Sequence, residues 1–425
     1  MNSQLFRNAR IFTPVDPGKP LAGKEQGSVA SFEPGALLCS DGRINWVGHE
    51  GDLHGALSAE VEEVDCGGRC MVPGFVDPHT HMCFVEPRER EFLSRLEGAD
   101  YLEILRSGGG ILASVEAVRA VSEQDLFRAT LARARIALSL GTTTMEIKSG
   151  YGLALEPELK QLRVIARLGR EARLTVVPTF LGCHAVPAEY KGRADEYVDL
   201  VARKMIPEVA RAGLARSCDV FCEEGVFSVS QARSVLEAAR AHGLGIRMHA
   251  DEIHDTGGAA LAASLGAESA DHLLAASDQG LRAMAAAGVV GVLLPATAYS
   301  MRRPYARAGV MVDLGLPVAI ASDCNPGSSC TQSMPFVFGL AVLQMGLSVA
   351  EALTASTLNA AYALGLGRER GSLEPGKAAD FLLLDGETPG ILAFKPGVAT
   401  VAEVYKAGAM VWPEKKCLTS INPKG

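Results

Sequence analysis

The segment VPGFVDPHTH, residues 72–81, gives the strongest indication of the fold. It joins a short apolar run, Phe75-Val76, to two histidines, so ionisable side chains directly follow a predicted strand. Residues two apart in an extended segment share a face, and His79 and His81 can therefore point toward one metal ion. Taken alone, a His-x-His pair often arises by chance. A histidine at a strand end also commonly does no more than hydrogen-bond neighbouring groups there.

Strand and helix patterns alternate through the rest of the middle of the chain, which is typical of a parallel sheet. Helical patterns such as 125–140 and 230–242 separate the apolar runs. Eight predicted strands over about 250 residues indicate an α/β fold, a (β/α)8 TIM-like barrel with its active site at the carboxyl ends of the strands. Residues 82–124 are predicted to form an insertion between the first two strands.

Short β-type runs with turn signals occupy both ends of the chain. Two of these runs flank Asp41-Gly42, a dipeptide typical of a β-hairpin. Neither end is long enough to build a core of its own. We therefore expect residues 1–71 and 371–425 to form one discontinuous small β-sandwich domain, with the barrel at residues 72–370.

The composition narrows the functional class. The 425 residues carry a net charge of −8, which disfavours binding to the phosphate backbone of nucleic acids. The ten cysteines form no CxxC pair, the first residues lack a signal-peptide core, and the uncharged apolar stretch 283–301 is broken by glycine and proline. These features predict a reduced, cytoplasmic protein that binds no membrane or nucleic acid and acts on a small molecule.

Ionisable residues recur at the ends of the later predicted strands. Glu252 follows the fifth strand, Asp271 ends the sixth, and Asp323 follows the eighth. Five of the nine histidines also fall at strand ends: His79, His81, His184, His249 and His272. Each has an ordinary interpretation as a hydrogen-bonded strand end, but together they predict a metal site on one face of the barrel.

Several longer motifs lie at or near these strand ends. They are R-x-R-E-F and YLEILRSGGGI within 88–111, GTTTMEIKSGYGL at 141–153, TFLGCHAVPAEY at 179–190, HADE at 249–252, SADHL at 269–273 and SDCNPGSS at 322–329. Together with VPGFVDPHTH, they resemble the amidohydrolase superfamily and, within it, the imidazolonepropionase family. The resemblance spans most of the predicted barrel.

The resemblance implies one metal ion, zinc or iron, held by His79, His81, His249 and Asp323. Three imidazoles and a carboxylate suit either ion, so the ligand set does not choose between them. A second ion is not expected, because the fourth strand end, 219–223, lacks the bridging lysine of binuclear relatives.

Catalytic roles also follow from the resemblance. Glu252 lies three residues after His249 and suits a general acid/base that stays beside the ion without coordinating it. His272 is expected to hydrogen-bond the attacked carbonyl oxygen or the nucleophile. Asp323 is both a ligand and a possible proton acceptor, and which of the three residues moves each proton stays open.

The implied substrate contacts centre on Arg88, whose guanidinium offers a bidentate fork for a carboxylate. Without the resemblance, a surface ion pair with Glu86, Glu89 or Glu91 would be the preferred interpretation of Arg88. The full set of implied substrate-binding residues is Arg88, Tyr101, Tyr151, His184, Glu252, Asn325, Gly327 and Ser328.

The implied reaction is hydrolysis of the ring carbon–nitrogen bond, a cyclic amide, of 4-imidazolone-5-propanoate. The product is N-formimino-L-glutamate, and the reaction is the third step of histidine degradation. The resemblance also implies that the enzyme is a homodimer. The alternative enzyme is a cytosine or guanine deaminase, which would release ammonia from a nucleobase. A non-catalytic scaffold is the alternative of another class, and it would hold no metal.

Overall fold

The computed structural model describes residues 3–53, 61–98 and 109–413. Within them, the first five strands are β1 (Ser3–Pro14), β2 (Val29–Ser40), β3 (Arg43–His49), β4 (Val61–Asp65) and β5 (Cys70–Pro73). The next eight are β6 (Phe75–Asp77), β7 (Thr142–Lys148), β8 (Thr175–Cys183), β9 (Ser217–Cys222), β10 (Gly245–Ala250), β11 (Ser269–His272), β12 (Val290–Leu293) and β13 (Val318–Ile320). The last three are β14 (Phe381–Leu384), β15 (Val401–Lys406) and β16 (Ala409–Trp412).

Helices connect most of the barrel strands. They are α1 (Glu89–Leu96), α2 (Ile111–Ala120), α3 (Glu123–Ser139), α4 (Leu155–Glu171), α5 (Ala194–Leu200), α6 (Ile206–Ala212), α7 (Val229–Ala241), α8 (Gly258–Leu265), α9 (Asp278–Ala287), α10 (Pro295–Ser300), α11 (Ala308–Asp313), α12 (Met334–Met345), α13 (Val349–Ser356), α14 (Leu358–Ala363) and α15 (Ile391–Phe394). Short 3-10 segments lie at 23–27, 50–52 and 188–190, and a π-helical turn at 201–205. Within the described ranges, no helix combines the length and the apolar character needed to cross a bilayer.

Strands β6 to β13 form one parallel sheet in chain order. Its first and last strands meet where the backbones of Thr80 and Cys324 form a bridge. There the backbone N–H of Ser322 also donates to the Asp77 carboxylate at 3.0 Å. The sheet therefore closes into an eight-stranded barrel, and the predicted α/β barrel fold is confirmed.

Packing on both faces explains the composition of the barrel strands. Every residue of β7 is buried, because helices cover the outer face while side chains fill the interior. Helix α4 buries Leu162, Ile165 and Leu168 on the face that packs against β8. Ser228 begins α7 with a reciprocal capping box to Gln231, which fixes where the helix starts.

The two ends of the chain share a second sheet. Strand β5 pairs antiparallel with β14, so that Met71 lies opposite Leu383, and β1, β2 and β3 continue on the other side. The predicted hairpin at Asp41-Gly42 is confirmed as the β2–β3 connection. Phe6, Phe381 and Tyr405 pack their rings together in this sheet's core. The bounds at residues 71 and 370 stay predictions.

Candidate active site

Three buried histidines converge at the carboxyl end of the barrel. His79 and His81 follow β6, and His249 lies near the end of β10. The Nε2 atom of His81 lies 3.2 Å from that of His79 and 3.1 Å from that of His249. Three ring nitrogens at this separation form a donor set for one ion, and within the described ranges they are the one such group of histidine, cysteine and carboxylate side chains.

Buried carboxylates fix the orientation of two of these rings. Asp271 Oδ2 lies 2.5 Å from His79 Nδ1, and Asp219 Oδ1 lies 3.0 Å from His249 Nδ1. An ionised carboxylate only accepts hydrogen bonds, so each Nδ1 carries the proton and each Nε2 turns a lone pair toward the other rings. Lone pairs that face one another repel, and a cation between them removes that repulsion. The residues present therefore fit a metal ion.

Asp323 lies beside this cluster just after β13. Its Oδ1 atom is 3.6 Å from His79 Nε2 and 3.7 Å from His81 Nε2, while its Oδ2 accepts a hydrogen bond from the Thr297 hydroxyl at 2.5 Å. The residue has a positive φ of 50°, a backbone conformation that non-glycine residues rarely adopt. One carboxylate oxygen is thus held by the protein and the other faces the histidines.

Protonation states agree with a ligand role for the rings. Burial lowers the pKa of His79 and of His81 well below the usual histidine value, so both rings are neutral. At His249 burial also lowers the pKa, but the Asp219 carboxylate outweighs it and the pKa is raised. Protonation therefore competes with cation binding more strongly at His249 than at the other two rings.

Glu252 and His272 form the next layer of the site. Glu252 Oε1 lies 3.6 Å from His272 Nδ1, and burial raises the pKa of Glu252 to about 7. Burial lowers the pKa of His272 to about 4, so its ring is neutral. His272 has a φ of 76°, and its buried Nδ1 has no hydrogen-bond partner in the described part of the chain. An orphaned buried nitrogen on a strained backbone is typical of a group that contacts a ligand.

Glu223 supports the segment that carries Glu252. Its carboxylate accepts hydrogen bonds from the backbone N–H groups of Ile253 at 2.9 Å and His254 at 3.4 Å, and it lies 3.0 Å from His254 Nδ1. The Glu223 carboxylate is therefore used in hydrogen bonds at the strand end, and it is not part of the histidine cluster.

Tyr151 and His184 form a wall next to the histidine cluster. The His184 ring stacks on His81 with 4.7 Å between centroids, and the Tyr151 ring lies 5.3 Å from His184. His184 Nδ1 donates to the carbonyl oxygen of Gly150 at 3.0 Å, and burial lowers its pKa to about 3. The buried Glu158 carboxylate accepts backbone N–H groups at positions 150, 152 and 153, which holds the loop around Tyr151 in place.

Arg88 lies at the rim of the site, largely shielded from solvent. Its Nε donates to Glu91 at 3.0 Å and its Nη1 to the Ser114 hydroxyl at 2.7 Å. A Cβ atom on Gly327 would lie 2.0 Å from Arg88 Nη2, so only glycine lets the guanidinium rest on this turn. The ion pair that the residues alone suggested exists, and the same side chain also faces the turn at 325–328.

Asn325 organises that turn from within. Its Oδ1 accepts the backbone N–H groups of Gly327 and Ser328, both at 2.8 Å, and its Nδ2 donates to the Ser328 hydroxyl at 2.9 Å. The three predicted product-binding residues are thus brought together with Arg88. Tyr101 lies outside the described residues.

Of the charges beneath the histidines, the sequence patterns singled out Asp271 at a strand end but assigned no role to the other three. Lys148, Glu146, Asp219 and Asp271 have fully buried side chains, and we refer to these four residues as the buried charge cluster. A signal was present, because charged residues occur there within barrel strands that are otherwise buried and uncharged.

Known proteins share this architecture and sequence. The amidohydrolase family matches residues 70–411. An imidazolonepropionase from Syntrophobacter fumaroxidans is 62% identical over 408 residues, which is 96% of each chain. One from Desulfotalea psychrophila is 59% identical and covers 97% of this chain and 100% of its own. This chain belongs to the imidazolonepropionase branch of the amidohydrolase family.

Solved structures of two deaminases with much lower sequence identity share the fold. A 5-methylcytosine deaminase from Klebsiella pneumoniae matches with a TM-score of 0.70 and 17% identity over 96% of this chain and 97% of its own. Guanine deaminase from E. coli matches with a TM-score of 0.69 and 15% identity over 97% of this chain and 99% of its own. At this identity the similarity establishes the barrel and its accompanying sheet, not the reaction.

Proposed function

We propose that this protein is a metal-dependent hydrolase that opens the ring amide bond of 4-imidazolone-5-propanoate and releases N-formimino-L-glutamate. The observation that carries the proposal is the 62% identity to an imidazolonepropionase over 96% of both chains. The converging histidines support it, because they supply the donor set that a metal-dependent amidohydrolase needs. The reaction is the third step of histidine degradation.

Four residues hold one zinc or iron ion in this proposal: His79, His81, His249 and Asp323. When bound, the ion would supply Lewis-acid activation of water. The three Nε2 lone pairs and the inward oxygen of Asp323 support this assignment. The described part of the chain places no cysteine in the donor cluster, so the ligands are nitrogen and oxygen, which zinc and iron both accept.

Glu252 is the proposed general acid/base. Because its pKa is about 7, it can take a proton from the attacking water and return it to the departing ring nitrogen near neutral pH. The neutral His272 ring hydrogen-bonds the attacked carbonyl oxygen, which stabilises the negative charge that develops there. Asp323 is the second candidate for the first proton transfer.

The substrate is oriented by the surrounding residues. Arg88 binds the propionate carboxylate, Tyr151 and His184 flank the imidazolone ring, and the turn containing Asn325, Gly327 and Ser328 contacts the product. The position of Arg88 on this turn supports the arrangement, since it places a guanidinium beside the loop. A contact from Tyr101, a homodimer and a cytoplasmic location stay predictions from the resemblance and the composition.

A direct assay tests the proposed function. The purified protein is incubated with imidazolonepropionate, and loss of substrate absorbance is followed together with formation of formiminoglutamate. Chelation should abolish turnover, and zinc or ferrous iron should restore it. Ammonia release from cytosine or guanine, with no turnover of imidazolonepropionate, would refute the assignment.

A further inference from the structure

Lys148 is the centre of the buried charge cluster beneath the histidines. It is the last residue of β7, and its side chain has no solvent exposure. Its Nζ lies 2.8 Å from Glu146 Oε1, 2.8 Å from Asp219 Oδ2 and 3.8 Å from Asp271 Oδ2. A fully buried lysine needs such compensation, and the three carboxylates raise its pKa above the usual value although burial opposes this.

Two of the carboxylates connect Lys148 to histidine rings. Asp219 uses Oδ2 toward Lys148 and Oδ1 toward His249 Nδ1. Asp271 uses the same oxygen, Oδ2, toward Lys148 and toward His79 Nδ1. Each aspartate therefore lies between the ammonium group on one side and an imidazole on the other, and Asp271 Oδ1 also accepts a hydrogen bond from the Ser269 hydroxyl at 2.7 Å.

The third carboxylate, that of Glu146, connects Lys148 to the backbone between His79 and His81. Glu146 Oε1 contacts Lys148, while Oε2 accepts the backbone N–H of Thr80 at 3.0 Å. Thr80 also donates its hydroxyl to the Glu146 carbonyl oxygen at 2.7 Å. Because Thr80 separates His79 from His81, this contact helps to fix the backbone segment from which both rings project. One ammonium group is thus linked to all three histidines.

The neighbouring buried cation, Arg247, does not duplicate these contacts. Its Nη1 donates to the carbonyl oxygen of Pro78 at 3.1 Å, its Nη2 donates to that of Ala363, and its Nε lies 3.4 Å from Glu268. In the described part of the chain, Lys148 is the cation in direct contact with the cluster's carboxylates.

We propose that Lys148 is a positioning residue that holds Asp219, Asp271 and Glu146 in place so that the Nε2 atoms of all three histidines converge. The inference rests on the metal site of the proposed function. Without the ammonium group, three buried negative charges repel one another, and the carboxylates turn away from the histidines they orient. Substitution of a residue that orients a ligand typically weakens metal binding about 10- to 100-fold.

The proposed role can be tested by measuring the zinc affinity of purified Lys148→Met. The holoprotein competes with a chromogenic chelator, and we expect the variant to bind zinc at least about tenfold more weakly than the unmodified protein. Lys377→Met is the matched control, because Lys377 is also buried and paired with a carboxylate, Asp16 at 2.6 Å, but lies outside the active site. Its zinc affinity should be unchanged even if its stability falls.

A double-mutant cycle with Asp219→Asn tests the connection. If Lys148 acts through Asp219, the double variant should lose clearly less zinc affinity than the product of the two single losses. The visible spectrum of the cobalt-substituted protein should also change in Lys148→Met and not in Lys377→Met. Should Lys148→Met not fold, Lys148→Gln replaces it, since glutamine also lacks the positive charge.

Zinc affinity in the lysine variant equal to or tighter than in the unmodified protein would overturn the proposal. So would independent losses in the cycle or equal weakening in Lys377→Met. These readouts require no turnover. A protein that binds zinc with the expected variant pattern and does not hydrolyse imidazolonepropionate would refute the proposed function and leave the role of Lys148 intact.

Discussion

Replacing Arg88 with alanine tests how the substrate carboxylate is held. Two nitrogens of the guanidinium contact Glu91 and Ser114, while no hydrogen-bond partner of Nη2 lies among the described residues. In Arg88→Ala the Glu91 carboxylate stays in place, because it also accepts the backbone N–H of Gly110 at 2.8 Å. The substrate then loses a charge-assisted hydrogen bond and meets an uncompensated negative charge.

We expect this change to cost about 3 kcal/mol of binding, the usual size for losing one partner of a partly buried charge pair. That corresponds to a roughly 150-fold fall in kcat/KM, carried mainly by KM, because the carboxylate is bound equally in the ground state and the transition state. Steady-state kinetics with imidazolonepropionate measures the effect, and zinc content should not change.

Two further variants provide controls for the Arg88 prediction. Arg88→Lys keeps the positive charge but cannot bind a carboxylate with two parallel hydrogen bonds, so its KM should lie between those of the alanine variant and the unmodified protein. Arg128→Ala removes an arginine from an exposed ion pair with Asp125 and should leave KM unchanged. A KM in Arg88→Ala within twofold of the unmodified value would refute the carboxylate-binding role.

Two other residues give testable expectations. Burial raises the pKa of Glu252 to about 7, and a base acts when deprotonated, so kcat/KM should fall about tenfold per pH unit below pH 7. Glu252→Gln should remove this acidic limb of the pH profile and lower kcat by about 10² to 10⁴. Glu158→Gln should lower the free energy of unfolding by about 2 kcal/mol in urea titrations and also raise KM, because its carboxylate holds the loop of Tyr151 and His184. A pH limb that persists in Glu252→Gln, or a stability loss in Glu158→Gln without a change in KM, would contradict the respective assignment.

The barrel was predictable because its signals are local. Apolar runs of strand length, most of them followed by an ionisable residue, alternate with helical patterns, and parallel strands bring their carboxyl ends to one face. His79, His81 and His249 could therefore be grouped before any contact was known. An association between the two ends of the chain was also expected, since neither end can form a core alone, but the specific pairing of β5 with β14 was not.

The second layer of the site was not predictable in the same way. Asp271 meets a histidine 192 residues earlier in the chain, and nothing in the spacing of the two residues indicates that contact. Lys148 lies two residues after Glu146 at the end of β7, and its role depends on carboxylates from its own strand and from two others. Such contacts depend on rotamers and on neighbours across the barrel, which a linear pattern does not specify.

The sequence by itself determined which residue types stand at the strand ends, and hence the fold, the family and the candidate ligands. Only the tertiary structure decided which nitrogen of His79 and His249 faces inward, and that Arg88 rests on the turn at Gly327. The physical reason is the separation along the chain between the residues that interact. Strand formation and strand order follow from local patterning and connection rules, whereas lone-pair direction and charge compensation are set by buried groups that meet only when the barrel closes.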